Sequence, residues 1–385
     1  MEAFRLHLFF LSILGVWKPQ GWHGIKAFLY SIYGSTVVIF NHIFILSGIL
    51  NLTKFKHVSL DVFIDNFSQM LALIVVRQRI ICVIENRNSI SQIIESTDKY
   101  PFKLRDRQEK LIFSKFSKLA KNILIYYPIV HMCIILVHTV GHISVMDPPY
   151  ALPFQGWFPY NYTRKTKIYW ATATYQLYAI FSEGSIDLIL DLLLPCILCY
   201  MCGHIHILRH RFGVMTEKLQ IMSENNEPRE KIDSAERKMT AEWVEYHIDI
   251  LRLVELVKKI FERMIFVQYT VSSLLLCTLA YLLSHTKCTT MTFAANFSFF
   301  MAMFIQILLP CYCADKLTFE FLDISTGIYN SNWYQLSNNI RRSVVVILRN
   351  TYQPVTITSG FFIILSLESF TKIIKLAYTI YNLLE

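Results

Sequence analysis

Three acidic residues recur at four-residue intervals within an apolar stretch of the sequence. Glu183, Asp187 and Asp191 would share one face of a helix, because residues four apart lie on the same side. Carboxylates among apolar residues need a cationic partner or water. Arg77 and Arg79, at the end of another apolar stretch, can supply a cation to Asp191. We therefore predict a structural ion pair, with an ion pathway as the alternative.

A second set of polar residues lies in the last apolar segment, residues 366–384. On a helix these residues fall within an arc of about 100°; they are Glu368, Thr371, Lys372, Lys375, Thr379 and Asn382. Glu368 and Lys372 are spaced i, i+4 in the order that favours an ion pair. Charged residues at membrane depth face a bundle interior or water. Other helices of the chain therefore bury this polar face, or several copies of it line a pore.

Three cysteines and two histidines lie close together in the run LLLPCILCYMCGHIHIL. Cys196, Cys199 and Cys202 repeat a Cys-x-x-Cys spacing, and His204 and His206 follow. Because the run is continuously apolar, we predict small residues for helix packing and keep a metal site as the alternative. We expect no metal and no cofactor. The sequence has no nucleophile–base arrangement, so we do not expect an enzyme.

The composition is that of a multi-spanning membrane protein. Apolar residues make up 54% of the chain, charged residues 17%, and the mean hydropathy is +0.39. Soluble domains carry about 25% charged residues. The net charge of +9 does not indicate nucleic-acid binding, because the basic residues cluster in loops between apolar runs, which is how membrane proteins are oriented. We predict a lipid bilayer as the surroundings.

Seven stretches are long enough to cross a bilayer, which takes about 20 residues. We number these predicted spans 1 to 7; they cover residues 25–50, 58–84, 119–145, 169–200, 261–284, 291–314 and 355–384. Loops on one side hold 26 Lys and Arg, against 6 on the other, which predicts a cytoplasmic N-terminus and an extracellular C-terminus. Asn51 and Asn161 begin glycosylation sequons in predicted outer loops, which agrees with that orientation.

The same pattern predicts five regions. They are a retained cytoplasmic segment 1–24, spans 1–4 in 25–205, a cytoplasmic loop with an anchor helix in 206–260, spans 5 and 6 with further anchor residues in 261–350, and span 7 in 351–385. Seven spans also suggest a G-protein-coupled receptor, which we keep as an alternative. That class has an outer N-terminus, and the sequence lacks D-R-Y after span 3 and N-P-x-x-Y in span 7.

The chain resembles insect odorant receptors over nearly its whole length, most strongly in the last seventy residues. The shared pattern is Gly327, Tyr329, Ser331, Trp333-Tyr334, Tyr352, Pro354-Val355, Gly360-Phe361, Leu367-Glu368, Phe370 and Ala377-Tyr378-Thr379. Leu14–Trp17 and the segment around Asp187 support it. The T-Y-x5-Q-F motif of the related gustatory receptors is absent from span 7, so a gustatory-type channel is only an alternative.

The resemblance implies an all-α fold of seven transmembrane helices. It implies a tetrameric, odorant-gated, non-selective cation channel in the plasma membrane of olfactory sensory neurons, in which a tuning subunit pairs with a shared co-receptor. The moderate length of the 206–260 loop is similar to that of a tuning subunit. The resemblance also implies that span 7 lines the pore, with Thr379 facing it and Leu383 forming an apolar gate, as apolar rings do by dewetting. Lys372 and Lys375 would then reduce cation flux.

The resemblance further implies a ligand pocket in the outer half of the bundle, between spans 2, 3, 4 and 6. Small-molecule pockets are mostly apolar and aromatic with few polar groups. The residues predicted to line it are Phe63, Phe67, Met70, Val137, His138, Gly141, Tyr175, Tyr178, Ser182, Asn296, Phe297 and Phe300. Gly141 would leave room for a small volatile ligand, and His138 or Asn296 would hold its polar group.

The cytoplasmic segment AERKMTAEWVEYHIDILRLVELVKKIFERM predicts an amphipathic helix. Its apolar residues recur near heptad spacing and are Trp243, Ile250, Leu253, Val254 and Val257. One face of this helix should therefore pack on another surface. We interpret it as part of an anchor between subunits, together with Trp333 and Tyr334; a helix lying on the bilayer is the alternative.

Overall fold

The structure is a computed structural model that describes residues 2–19, 21–54, 60–96, 99–144, 146–148, 150–359 and 363–384. Most of this part is helical, as predicted. The helices are α1 (Glu2–Ile13), α2 (Ile25–Lys54), α3 (Leu60–Glu85), α4 (Arg87–Ser96), α5 (Arg107–Ser144), α6 (Thr166–Glu224), α7 (Arg229–His285), α8 (Met291–Tyr329), α9 (Asn338–Thr351) and α10 (Leu367–Leu384). Short 3-10 turns lie at Tyr162–Arg164 and Trp333–Gln335.

Six helices in the described part are long and apolar enough to cross a membrane: α2, α3, α5, α6, α7 and α8. They correspond to predicted spans 1–6, and α10 corresponds to span 7. Helices α6 and α7 have 59 and 57 residues, far more than the roughly 20 that a bilayer requires. Both therefore continue beyond the membrane and form a second helical layer there, together with α9.

Predicted span 7 begins too early. Helix α9 ends at Thr351, and α10 begins only at Leu367. Between them, β1 (Thr358–Ser359) pairs antiparallel with β2 (Ile363–Ile364). Pro354 cannot donate a helical hydrogen bond, and the β-branched run from residue 355 to 358 disfavours helix, which explains the extended backbone at this position.

Helix α6 is the central helix of the fold. Nearly all its residues between Ile186 and Leu208 are buried, and it packs against α5, α7 and α8. The apolar face predicted for the cytoplasmic helix is buried against it, in the N-terminal half of α7. There the Trp243 indole donates to the carbonyl of Leu208 at 2.8 Å, and its ring meets Phe212 edge-on at 5.4 Å. Because this face is buried within the chain, α7 does not use it to lie on a bilayer.

The two glycosylation sequons differ in their surroundings. Helix α2 continues to Lys54, so the predicted outer loop at residue 51 is wrong, and Asn51 lies in the helix with only 6% of its surface exposed. Asn161 is exposed and caps a 3-10 turn, where its Oδ1 accepts from the Thr163 amide at 3.0 Å. Asn161 therefore stays the accessible predicted site.

Candidate functional site

A cavity of about 110 Å³ lies between α3, α5, α6 and α8, the helices of predicted spans 2, 3, 4 and 6. Its walls are mostly apolar: Ala72, Leu73, Val76, Ile134, Ile135, Ile180, Gly184, Phe299, Ala302 and Met303. The polar residues that line it are Gln69, His131, His138, Glu183 and Asp187. An apolar cavity with a few polar groups at fixed positions is typical of a small-molecule site.

The cavity is displaced along all four helices from the twelve predicted ligand residues. On α3 the lining residues run from Gln69 to Val76, and on α5 from His131 to His138. On α6 and α8 they fall within 180–187 and 299–303. In the orientation that the charges predict, each of these segments is between one and two helical turns deeper in the membrane than the predicted one. Of the predicted residues, His138 lines the cavity.

Four predicted ligand residues point away from the bundle. Phe63, Val137, Tyr178 and Phe297 are each about half exposed. On a membrane helix such side chains contact lipid, because lipid tails are as apolar as they are. Three others are half-buried: Phe67, Tyr175 and Phe300. Tyr175 donates its hydroxyl to the Phe40 carbonyl at 2.7 Å and so holds α6 against α2.

The remaining four predicted residues are buried between helices. They are Met70, Gly141, Ser182 and Asn296. A Cβ on Gly141 would lie 2.4 Å from the Ala295 Cβ, so α8 occupies the space beside this glycine. Ser182 accepts from the Asn41 amide at 3.4 Å. These residues set the distances between helices around the cavity, and whether any of them contacts a ligand stays a prediction.

An imidazole cluster closes the end of the cavity that is predicted to be outermost. The ring of His138 lies 4.6 Å from that of His142 and 5.2 Å from that of Phe299. Gln69 Nε2 lies 3.2 Å from His142 Nε2, and Phe154 packs on His142 at 4.5 Å. The sequence analysis did not identify His142 or Phe154 as part of this site. Phe154 comes from the loop between α5 and α6, whereas the predicted ligand residues all lie in helices.

Buried ion pairs form the opposite end, as the acidic spacing predicted. Arg77 binds Glu183, and Arg79 binds both Asp187 and Asp191, the latter at 2.5 Å. The predicted pairing of an α3 arginine with Asp191 is therefore confirmed. The side chain of Arg79 is 1% exposed, so its charge is neutralised inside the chain rather than by water.

Two further polar side chains donate hydrogen bonds to the acidic residues of these ion pairs. Gln306 on α8 donates to Asp187 Oδ2 at 2.9 Å and to Asp191 Oδ2 at 2.7 Å. Tyr127 on α5 donates to Asp191 Oδ2 at 3.0 Å. The charged network thus joins α3, α5, α6 and α8, the same four helices that form the cavity. A glutamine in the apolar run of α8 was the sequence signal for this role.

The polar face of α10 is exposed. Its apolar side packs against α7 and α8, where Phe370 meets Phe304 edge-on at 5.0 Å. All six residues of the predicted polar face are exposed: Glu368, Thr371, Lys372, Lys375, Thr379 and Asn382. The Lys372 ammonium lies 2.7 Å from Glu368 Oε1, which confirms the predicted pair. The alternative in which this chain's other helices bury the polar face is therefore wrong for the described residues.

The exposure of the predicted gate residue is not described. Leu383 belongs to α10, but its side chain lies outside the described part of the chain. Thr379 donates its hydroxyl to the Lys375 carbonyl at 2.9 Å, one turn earlier.

The three predicted anchor residues have different surroundings. Trp243 is buried in this chain's own core, Trp333 is half-buried, and Tyr334 is 59% exposed. Of the predicted anchor residues, Tyr334 is thus the most accessible to a second subunit.

A groove of about 1030 Å³ lies between α7 and α9, with Val244, Ile248, Leu251, Val346 and Ile347 among its lining.

The cysteine and histidine run lies inside the helical core. Cys199 Sγ is 3.9 Å from Cys313 Sγ, and His204 Nδ1 is 2.6 Å from the Tyr246 hydroxyl. His206 lies 3.3 Å from Glu320. Within the described ranges, no three His, Cys, Asp or Glu residues come together as metal ligands would.

Comparison with known proteins gives one consistent family. The family model described as 7tm Odorant receptor matches residues 59–378. Odorant receptor 33a of Drosophila melanogaster is 25% identical over 279 residues, which are 69% of this chain and 68% of that protein. Odorant receptor 2a of the same species is 24% identical over 62% of this chain, and the alignment spans 61% of its own length. Odorant receptor Or1 of Anopheles gambiae is 23% identical over 100% of this chain and 95% of its own length.

Solved structures show the same fold. The insect olfactory receptor OR5 from Machilis hrabei matches with a TM-score of 0.85 at 16% identity, over 100% of this chain and 97% of that one. Its complex with eugenol matches with a TM-score of 0.84 at 17% identity and the same coverage. The fold with seven transmembrane helices therefore extends over the whole chain.

Proposed function

Because the chain belongs to the 7tm odorant receptor family, we propose that it is a ligand-binding and pore-forming subunit of an odorant-gated, non-selective cation channel. It is a multi-pass membrane receptor and not an enzyme. In the proposed assembly it is a tuning subunit that forms a heterotetramer with a co-receptor in the plasma membrane of olfactory sensory neurons.

The exposed polar face of α10 carries this proposal. Glu368, Lys372 and Lys375 lie on a helix whose other side packs against membrane-spanning helices. A charged side chain facing lipid at the bilayer centre costs on the order of 3 kcal/mol. Several copies of α10 around one axis would place these side chains in water instead. A water-filled pore is therefore the arrangement that suits this helix.

The same face gives expectations about conduction. Glu368 pairs with Lys372 in the chain, and in the described part Lys375 has no acidic partner. Lys375 then adds a positive charge to each copy of the pore wall, which lowers the local concentration of cations. We propose that Thr379 faces the pore one turn beyond Lys375, and that Leu383 narrows the outer end.

The cavity between α3, α5, α6 and α8 is the proposed odorant site. Its volume of about 110 Å³ is close to the roughly 150 Å³ of an engineered apolar cavity that binds benzene. The fold is shared with an olfactory receptor whose structure is known in complex with eugenol, a small volatile molecule. The buried ion pairs lie beside this cavity, so a ligand would contact the network that joins the four helices.

The groove between α7 and α9 is the proposed contact with neighbouring subunits. Val345 and Val346 on α9 are more than half exposed, and Tyr334 lies in the 3-10 turn that precedes this helix. Large exposed apolar areas outside the membrane mark interaction sites. In this proposal Tyr334 and Trp333 contact a partner directly, whereas Trp243 holds α7 in place by packing against α6.

Recordings of current from cells that express this chain test the proposal. The chain is expressed with and without the co-receptor, under a panel of volatiles and with G-protein signalling blocked. A cation current that appears only in the paired cells and only with a volatile supports the channel. A second-messenger response from surface-expressed protein, with no current, would instead support the G-protein-coupled alternative.

A further inference from the structure

Glu183 differs from the other acidic residues of the buried network. One of its oxygens, Oε1, binds Arg77, but the other, Oε2, is buried and has no hydrogen-bond partner among the described residues. Its side chain is 2% exposed. A buried oxygen without a partner is costly, because it has lost water and gained nothing in exchange.

The residue that carries this carboxylate also lines the ligand cavity. Glu183 and Asp187 both line it, on consecutive turns of α6. Oxygens of Asp187 already accept from Arg79 and Gln306. Of the two acidic residues in the cavity wall, Glu183 is therefore the one whose carboxylate oxygen can still accept a hydrogen bond.

The charges around the cavity favour the same partner. The network contains three carboxylates, at Glu183, Asp187 and Asp191, and two guanidiniums, at Arg77 and Arg79. When all five are ionised, the sum is one negative charge. Among the described residues that line the cavity, none is a lysine or an arginine, whereas Glu183 and Asp187 are acidic.

We propose that this cavity selects small volatiles that donate a hydrogen bond, namely alcohols and amines, and that Glu183 is the residue that sets this specificity. The donor group binds Glu183, and the hydrocarbon part packs against Ile134, Ile135 and Phe299. Ketones, esters and hydrocarbons have no donor and leave the carboxylate oxygen unpaired. This inference rests on the proposed role of the cavity as the odorant site.

Matched ligands of one size test the selection. Cyclohexanol and cyclohexylamine have a donor, whereas cyclohexanone and methylcyclohexane have the same number of heavy atoms and none. Dissociation constants are measured by calorimetry on the full chain purified in a lipid nanodisc. Since a hydrogen bond to a charged group is worth about 1.5–3 kcal/mol, both donors should bind about 10- to 100-fold more tightly than the two other ligands.

The variant Glu183→Gln tests the residue. An amide still accepts from Arg77 with its oxygen, but it presents a donor where the carboxylate had an acceptor. The preference for cyclohexanol over cyclohexanone should fall by at least about tenfold. The control is Asp191→Asn, in the same network but not in the cavity wall, which should change the affinity for both ligands by the same factor.

Two results would overturn the inference. One is a wild-type chain that binds cyclohexanone as tightly as cyclohexanol, a comparison that needs no variant to fold. The other is a preference that Glu183→Gln leaves unchanged. Because calorimetry does not depend on current, a chain that shows the preference but never conducts would contradict the channel proposal alone.

Discussion

Two regions of this protein place charged residues in apolar helices, and the surroundings of these charges differ between the two regions. Around Asp187 the carboxylates and guanidiniums are paired inside one chain, with Gln306 and Tyr127 as further donors. On α10 the charged residues are exposed, and Lys375 has no acidic partner among the described residues. In the first arrangement the opposite charges are paired within a single chain, whereas the second requires other subunits or water.

This difference separates two roles that look alike in the sequence. Acidic and basic residues at helical spacing occur in both regions, and spacing alone does not distinguish them. Burial does, because a buried pair contributes to the fold of its own chain and an exposed face on a membrane helix requires an environment that the chain lacks. Substitutions should therefore affect stability in one region and conduction in the other.

The largest effect is expected from Arg79→Met. Removing this guanidinium leaves Asp187 and Asp191 buried without their cation, and such a loss destabilises proteins by about 3–5 kcal/mol. The thermal unfolding midpoint of the purified chain measures it. The matched control is Arg263→Met, at an exposed position of α7, which should stay within about 0.5 kcal/mol of wild type. Equal stability of the two variants would contradict the structural role of the ion pairs.

A smaller loss of stability is expected from Gln306→Leu. The substitution removes the amide that donates to Asp187 and Asp191 but leaves both bonds from Arg79 in place. A buried acceptor that loses a donor costs about 1–3 kcal/mol. The same unfolding measurement detects this loss. If Gln306→Leu were as destabilising as Arg79→Met, the arginine would not be the main partner of the two carboxylates.

A change in conduction without a change in stability is expected from Lys375→Glu. The residue is exposed, so the fold should tolerate the substitution. Reversing one charge about 8 Å from the path of a cation changes their interaction by about 1 kcal/mol in water-like surroundings, which is roughly fivefold in the local cation concentration. Single-channel conductance for cations should therefore rise. An unchanged conductance in a fully expressed channel would show that Lys375 does not face the pore.

The smallest effect is expected from Glu368→Gln. The ion pair between Glu368 and Lys372 is exposed, and exposed pairs are screened by water and salt. The unfolding midpoint should not change measurably. Conductance should fall, because Lys372 would lose the charge that neutralises it. A clear loss of stability would contradict this prediction, because it would show that the pair is buried in the protein rather than exposed to water in the pore.

The sequence was sufficient to predict the helices and the two charged regions. Length and hydropathy located the membrane-spanning segments, and heptad spacing located the buried face that contains Trp243. Four-residue spacing identified the acidic face of α6 and the polar face of α10, since a helix converts such spacing into a common direction. The strands before α10 were missed, because hydropathy does not distinguish an apolar helix from an apolar extended segment.

The depth and walls of the cavity were not predictable in the same way. Aromatic residues such as Phe63, Tyr178 and Phe297 suggested a pocket nearer the outer surface, but these side chains are exposed on the bundle. In a membrane protein, aromatic residues suit both lipid and a ligand, so residue type does not decide between the two. The cavity instead depends on how closely four helices approach, which is fixed by contacts between residues far apart in the sequence.

Cysteine accessibility along α10 tests the central claim most directly, namely that its polar face lines a pore. Thr379→Cys lies on the exposed face, and Ala377→Cys lies on the face packed against the bundle. A charged thiol reagent is applied from outside during an odorant-evoked current, with the wild-type chain as the control for its exposed Cys133 and Cys288. We predict that the reagent blocks most of the current through Thr379→Cys and leaves Ala377→Cys and wild type unchanged. Equal responses of all three proteins would contradict the claim.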